Sequence, residues 1–256
     1  MNRSILITGA NSGIGLHMAS ALLEAEDRVA VLDLKEDQVA KLKAAHGCRL
    51  LIFRGDVSDP AAVERCVAEV LAAWGRIDIL INNACVCTFS PFADLSPEQR
   101  QREIAVNLFG YINTIAAVLP VMRKQRQGRI YNFCSGIGIT GFPGTAMYAS
   151  SKGAIEALTR SLALELEGTG ITVSLMHPPL TRTPSAEPLG VPAPAMADAR
   201  IVGRKLARQV GSDRAVITPD LGTAVALVFF RLLPGAVGRL LSRLAARARA
   251  QEAREP

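Results

Sequence analysis

The chain is short of the features that would mark several classes of protein. Aromatic residues make up 5% of its 256 residues, with one Trp and three Tyr, and there are only three histidines. Cys85-Val86-Cys87 has no second Cys or His pair to accompany it, so no metal site is expected from the spacing that zinc ligands need. The five cysteines are an odd number without framework spacing. That excludes a disulfide scaffold and fits reduced, mostly buried thiols in a cytoplasmic protein. Although 49% of the residues are apolar, no run of about 20 uninterrupted apolar residues appears, and no spanning segment is expected. The apolar run at residues 4–7 enters Thr8-Gly9 too soon to be the core of a signal peptide. Charge of one sign is also scarce in the main body. Of the net +6, six arginines and two glutamates from Arg231 onward account for +4, leaving +2 for the first 230 residues. A general nucleic-acid surface is therefore not expected.

What is present is an alternation of short apolar runs and helical patterns. Strands are expected at 4–7, 28–32, 49–53, 77–81, 129–133, 171–176 and 215–217. Helices are expected from the glycine turn to Leu23, then at 36–46, 58–73 and 97–123, and from Tyr148 to Glu167. This rhythm means one α/β domain: a doubly wound parallel sheet of the Rossmann type, with helices on both faces. Ligands in such sheets bind past the carboxyl ends of the strands. Gly9, Asp33, Asp56, Asn83, Ser135 and Pro178 all fall there.

The first strand runs into Thr8-Gly9-Ala10-Asn11-Ser12-Gly13-Ile14-Gly15 and then a helix, the setting a dinucleotide fingerprint requires. Small residues let backbone N–H groups approach a pyrophosphate at the helix start, where the dipole favours negative charge. Asp33 ends the second strand. A carboxylate there accepts from ribose hydroxyls and repels a 2′-phosphate, so NAD is expected over NADP. Lys35 is close enough to temper that preference.

Tyr148-Ala149-Ser150-Ser151-Lys152 sets a phenol and an ammonium one helical turn apart. A nearby cation favours the phenolate and moves a pKa of about 10 toward the working range. Ser135, after the strand at 129–133, faces that helix and is placed to hold a substrate oxygen with Tyr148.

These motifs, in order and spacing, resemble the short-chain dehydrogenase/reductase family over residues 3–218: Thr8-Gly9-x-x-x-Gly13-x-Gly15, Asp56-Val57, Asn82-Asn83-Ala84, Asn107, Ser135 and Tyr148-x-x-x-Lys152. The resemblance implies Tyr148 as general acid/base, Ser135 orienting the substrate oxygen, and Lys152 lowering the tyrosine pKa and holding the nicotinamide ribose. It implies that Asn107 bends its helix and positions a water leading to Lys152. The loop residues Gly9, Asn11, Ser12, Gly13, Ile14 and Gly15, together with Asp33, Asp56, Val57, Asn83 and Ala84, would hold the dinucleotide. Thr181 and Thr183 would meet its carboxamide end. Two positions depart from the pattern: Cys85 stands where the family has Gly after Asn-Asn-Ala, and Pro179 replaces the Gly after Pro178. His177, just before the double proline, is a candidate substrate or cofactor contact.

Residues 184–212 are expected to cover the substrate. The apolar Leu189, Val191 and Met196, with no Lys or Arg between Pro184 and Arg200, favour an apolar alcohol or ketone over an anionic substrate. Residues 219–256 form a separate helical extension. In it Val237, Leu240, Leu241 and Leu244 recur at helical spacing opposite Arg239, Arg243 and Arg247. Such a helix fits either peripheral contact with a membrane or packing within a homodimer or homotetramer. The expected activity is NAD(H)-dependent interconversion of an apolar secondary alcohol and its ketone. The rival readings are a membrane-associated reductase of a lipid ketone (a 3-keto long-chain base or sterol) and a non-catalytic NAD(H)-binding sensor.

Overall fold

A computed structural model describes residues 2–189, 191 and 196–252, with side chains of the final helix described as far as Ala246. Strand β1 (Ser4–Thr8) is wholly buried and leads into α1 (Gly13–Glu24). Then follow β2 (Arg28–Asp33), a single helical turn α2 (Lys43–His46), β3 (Leu50–Arg54), α3 (Pro60–Trp74) and β4 (Ile79–Asn82). Beyond them lie α4 (Pro97–Ile104), α5 (Gly110–Gln125), β5 (Gly128–Phe133), the short α6 (Ile137–Thr140), α7 (Ala146–Glu165) and β6 (Ile171–Met176). The chain continues through β7 (Thr181–Arg182), β8 (Ala197–Asp198), α8 (Ala199–Ala207), β9 (Val216–Ile217), α9 (Leu221–Leu232) and α10 (Pro234–Glu252).

Seven strands form one parallel sheet in the order β3-β2-β1-β4-β5-β6-β9, and β7 pairs with β8 apart from it. The order reverses between β1 and β4, which is where doubly wound sheets bind ligands. A sheet covered on both faces needs apolar strands rather than alternating ones. Accordingly Ile5 and Ile7 pack with Met18 and Leu22 of α1 and Val202 and Leu206 of α8 on one face. Leu6 and Leu80 pack with Val67 of α3 and Val118 of α5 on the other.

One expected helix differs in the structure, and another is interrupted at the residue expected to bend it. The stretch 36–46 holds only one 3-10 turn, Val39–Leu42, and the one-turn α2. The Asn11 side chain accepts from the N–H groups of Gln38 (2.9 Å) and Val39 (3.0 Å), pinning the start of the stretch to the glycine loop. The expected helix at 97–123 is broken by a π-helical turn, Ala105–Phe109, that contains Asn107. Taken whole, residues 97–125 are long and apolar enough to cross a membrane by length and composition. However, α5 buries Tyr111, Ile115, Val118 and Met122 in the protein's own core.

Between α5 and α7 the sheet carries a buried polar chain. Thr114 donates to Asn82 (2.6 Å), Asn82 to Asn132 (2.9 Å), and Asn132 to Thr159 (2.9 Å). Hydrogen bonds that satisfy buried polar groups also fix the register of the elements they join. Here they lock α5 and α7 against the strands that end at the cleft.

Candidate active site

One cavity of about 790 Å³ runs across the carboxyl ends of the strands. Gly9, Asp33, Asp56, Asn83, Ser135 and Pro178 all line it.

At one end the glycine loop passes close beneath β4. Gly9 has a φ of +68°, and a Cβ there would lie 2.5 Å from the Ala84 Cα, so the turn admits no side chain. Thr8 Oγ1 accepts from the N–H groups of Asn83 (3.1 Å) and Ala84 (3.2 Å), and the Asn83 amide donates to the Gly9 carbonyl at 2.7 Å. Ser12, Gly13, Ile14 and Ala84 face the cavity. Asn11 and Gly15 do not line it. Asn11 serves the 37–39 turn, and Gly15 lies against Asn83 and Gly9, where an added Cβ would come within 2.6 Å of each. The Asp33 carboxylate, at the end of β2, is held by the N–H groups of Asn11 (2.8 Å) in the glycine loop and Lys35 (3.1 Å).

Asp56 accepts from Ser58 (N–H 2.9 Å, hydroxyl 2.7 Å) and pairs with Arg102 at 2.7 Å. Burial works to raise its carboxyl, but these hydrogen bonds and the guanidinium hold it below the usual range. Val57 lines the cavity beside it, its carbonyl accepting from Asn113 at 3.0 Å. Arg102 also lines the cavity, a residue that no sequence signal marks.

At the other end Ser135, Tyr148 and Lys152 meet. The Lys152 side chain is 1% exposed, and its Nζ donates to the Phe133 carbonyl (2.9 Å) and the Tyr111 hydroxyl (3.1 Å). It sits 5.7 Å from the centre of the Tyr148 ring. Burial raises the Tyr148 phenol above its ordinary value, while Lys152 and a hydrogen bond with Ser135 work to lower it. From the sequence, Lys152 is expected to bring the phenol toward neutral pH. In the structure desolvation outweighs the cation, and the net direction is upward.

Asn107 is fully buried and outside the cavity lining. Its side chain accepts from the Val86 N–H (2.8 Å) and donates to the Val86 carbonyl (2.7 Å), tying the π turn to the loop after β4. Cys85, Val86 and Cys87 all face the cleft, so Cys85 brings a side chain to the wall where the family has hydrogen. Thr181 and Thr183 line the cavity too, Thr181 donating to the Pro179 carbonyl at 2.7 Å.

His177 does not reach the cleft. It is fully buried, neither ring nitrogen has a partner, and burial lowers its pKa to about 4. With Cys134 and Glu156 it forms a cluster whose potential ligand atoms lie within 4.8 Å of one another, the only such trio among the described residues. The Glu156 carboxylate is ion-paired there with Arg160 (3.1 Å) and Arg231 (2.8 Å).

Of the residues expected to cover the substrate, Ser185, Ala186, Leu189 and Val191 line the cavity. Gly190 and residues 192–195 lie outside the described residues. From Ala199 onward the segment is α8, packed on α1. The terminal helices fold back over the cleft: Leu227 and Phe230 of α9 and Leu241, Leu244 and Ala245 of α10 complete its wall.

Comparison with known proteins shows the family and the fold. The short chain dehydrogenase family model matches residues 3–191. The chain is 41% identical over 189 residues to oxidoreductase UcpA of Salmonella typhimurium, covering 72% of each protein. It is 36% identical over 194 residues to 2-(R)-hydroxypropyl-CoM dehydrogenase of Xanthobacter autotrophicus, covering 73% of this chain and 78% of that one. The crystal structure of the Brucella melitensis 3-ketoacyl-(acyl-carrier-protein) reductase complexed with NADH superposes with a TM-score of 0.76 at 25% identity, covering 85% of this chain and 94% of that one. The protein belongs to the short-chain dehydrogenase/reductase family. It is an oxidoreductase that acts on CH–OH or C=O groups.

Proposed function

We propose that this protein interconverts an apolar secondary alcohol and its ketone with NAD(H). The observation that carries the reading is a single cleft with Asp33 at one end and Ser135, Tyr148 and Lys152 converging at the other. The residues fit a dinucleotide: close-packed glycines under a helix start, a ribose-facing carboxylate held by two backbone N–H groups, and Asn83 beyond them. When bound, the nicotinamide donates or accepts the hydride.

The protein's own residues handle the oxygen and its proton. Ser135 and Tyr148 hold the substrate oxygen between their hydroxyls. Because burial keeps the phenol protonated at neutral pH, Tyr148 gives its proton to the carbonyl oxygen during reduction and takes it back during oxidation. Lys152, fixed by Phe133 and Tyr111, stabilises the phenolate so formed. Asn107 holds the loop at Val86 that walls the site. Thr181 and Thr183, which line the cavity, would meet the carboxamide end of the cofactor.

Asp33 favours NAD because its fixed carboxylate repels a 2′-phosphate. The apolar wall of Leu189, Val191, Leu227 and Phe230 favours an apolar substrate. Exposed Leu164 on α7 and Phe109 in the π turn support a homodimer or homotetramer, and five unpaired thiols support a reducing, cytoplasmic setting. The test is Tyr148→Phe. Turnover of a ketone panel should fall by about a thousandfold or more, the scale of general acid–base catalysis, while NADH fluorescence titration stays near wild type. Substantial residual turnover would refute the assignment.

A further inference from the structure

Helix α9 is apolar on every side. Its inner face gives Leu227 and Phe230 to the cleft wall. Its outer face presents Leu221, Val225, Val228, Phe229 and Leu232, at positions i, i+4, i+7, i+8 and i+11, each between 47% and 79% exposed. Between Leu221 and Leu232 the only charged residue is Arg231, and its guanidinium turns back to Glu156 on α7. A helix that is apolar all round is buried in a core or in lipid, and the protein itself covers only one side of this one. The exposed apolar surface continues across the bend through Leu233 to Leu240 and Leu244 of α10. Beside them Arg239 and Arg243 are exposed.

The geometry points to an anionic lipid bilayer surface as the occupant of this face. Together α9 and α10 as far as Ala246 are long and apolar enough to cross a membrane only as a span broken by a 116° bend, and the 12 residues of α9 alone reach about 18 Å at 1.5 Å per residue. That is short of a hydrocarbon core of about 30 Å. The pair therefore lies along the interface with its outer face in the acyl region rather than crossing it. The charge pattern agrees. Arg239 and Arg243 are exposed beside Leu240 and Leu244, where anionic headgroups would meet them, and no carboxylate lies between Leu221 and Gln251 in the sequence to oppose them. Leu244 both lines the cleft and stands 51% exposed, so the lipid-facing surface is continuous with the mouth of the cavity. A substrate dissolved in the bilayer would enter the cleft beside α10. That consequence rests on the redox reading above, whereas the docking does not.

The test needs no turnover. The full-length protein is floated with phosphatidylcholine vesicles containing phosphatidylglycerol, and the bound fraction is measured for wild type and for Phe229→Glu/Leu232→Glu. Neither residue lines the cleft, so NADH binding reports that the variant is folded. Leu221→Glu, at a site 79% exposed, is the second variant should the double one fail to fold. Wild type should bind, the outer-face variants should lose roughly tenfold or more in partition, and Arg239→Glu/Arg243→Glu should weaken binding only when phosphatidylglycerol is present. Absence of wild-type binding, or binding unchanged in the outer-face variants, would overturn the proposal. So would sedimentation showing a wild-type oligomer that Phe229→Glu/Leu232→Glu dissociates, because the face would then be an interface between two copies of this chain.

Discussion

The Lys152 ammonium lies 3.1 Å from the Tyr111 hydroxyl and 4.9 Å from the centre of the Tyr111 ring. The cation that serves Tyr148 is thus anchored from behind by a second tyrosine, four residues after Asn107 on the helix that the π turn interrupts. Burial drives the Tyr111 phenol well above its ordinary pKa, so it remains a neutral acceptor toward Lys152.

Replacing Tyr111 with Phe keeps the ring and removes that acceptor. A hydrogen bond to a charged group is worth about 1.5–3 kcal/mol, so kcat should fall by roughly tenfold or more while the protein stays folded. The alkaline limb of the pH–rate profile should shift, because Lys152 would be held less closely to Tyr148. A variant with wild-type kcat and pH profile would show that Tyr111 only fills space.

Asp33 offers a second handle. Its carboxylate accepts from two backbone N–H groups, so an Asp33→Asn change removes the charge while keeping an acceptor for the loop. Loss of charged hydrogen bonds to the ribose should raise the KM for NADH by about tenfold or more. The KM for NADPH should fall as the repulsion disappears, and steady-state kinetics with both cofactors measures the two together. An unchanged ratio would remove Asp33 from cofactor selection.

How much of this was legible in the sequence depended on how local the signal was. The sheet could be read because each strand is a buried apolar run bounded by a turn, and the six strand-end residues then fell on one cleft. Tyr111 could not be read, since an aromatic residue inside a helical pattern looks like core until Lys152 is seen against it. Asn11 sits inside the glycine motif, yet its side chain serves residues 37–39, a contact that spacing does not encode. His177 neighbours the double proline in sequence and still points away from the cleft. The fold-back of α9 was hidden for a different reason. A helix apolar on all sides has no preferred face, so periodicity cannot say which side is covered.

His177 makes a prediction about stability against pH. Its pKa is lowered to about 4 in the folded chain by burial, against an ordinary value of 6.5. Between those values the unfolded chain binds more protons than the folded one, so stability rises with pH across the window and is lost as pH falls from 6.5 toward 4. At about 1.4 kcal/mol per pK unit, the loss is on the order of 3 kcal/mol. Urea titrations at a series of pH values should show this slope in wild type and a flatter one in His177→Phe. An equal slope in both would mean that other groups set the acid sensitivity.

The last prediction concerns the wall that α9 adds to the cleft. A Cβ on Gly136, one residue beyond Ser135, would come within 2.5 Å of the Phe230 ring. Gly136→Ala should therefore push Phe230, and α9 with it, away from the catalytic end. Phe230→Ala should instead widen the cleft, leaving small ketones turned over at near wild-type rates and raising the KM for larger apolar ones. If the two side chains interact as the structure places them, the effects are not additive. The double variant Gly136→Ala/Phe230→Ala should recover activity lost in Gly136→Ala alone, because the alanine methyl then occupies space the ring has left. Kinetics of the two single variants and the double variant on a short and a long ketone would measure this coupling. Strictly additive losses would mean that α9 does not close over the site in solution.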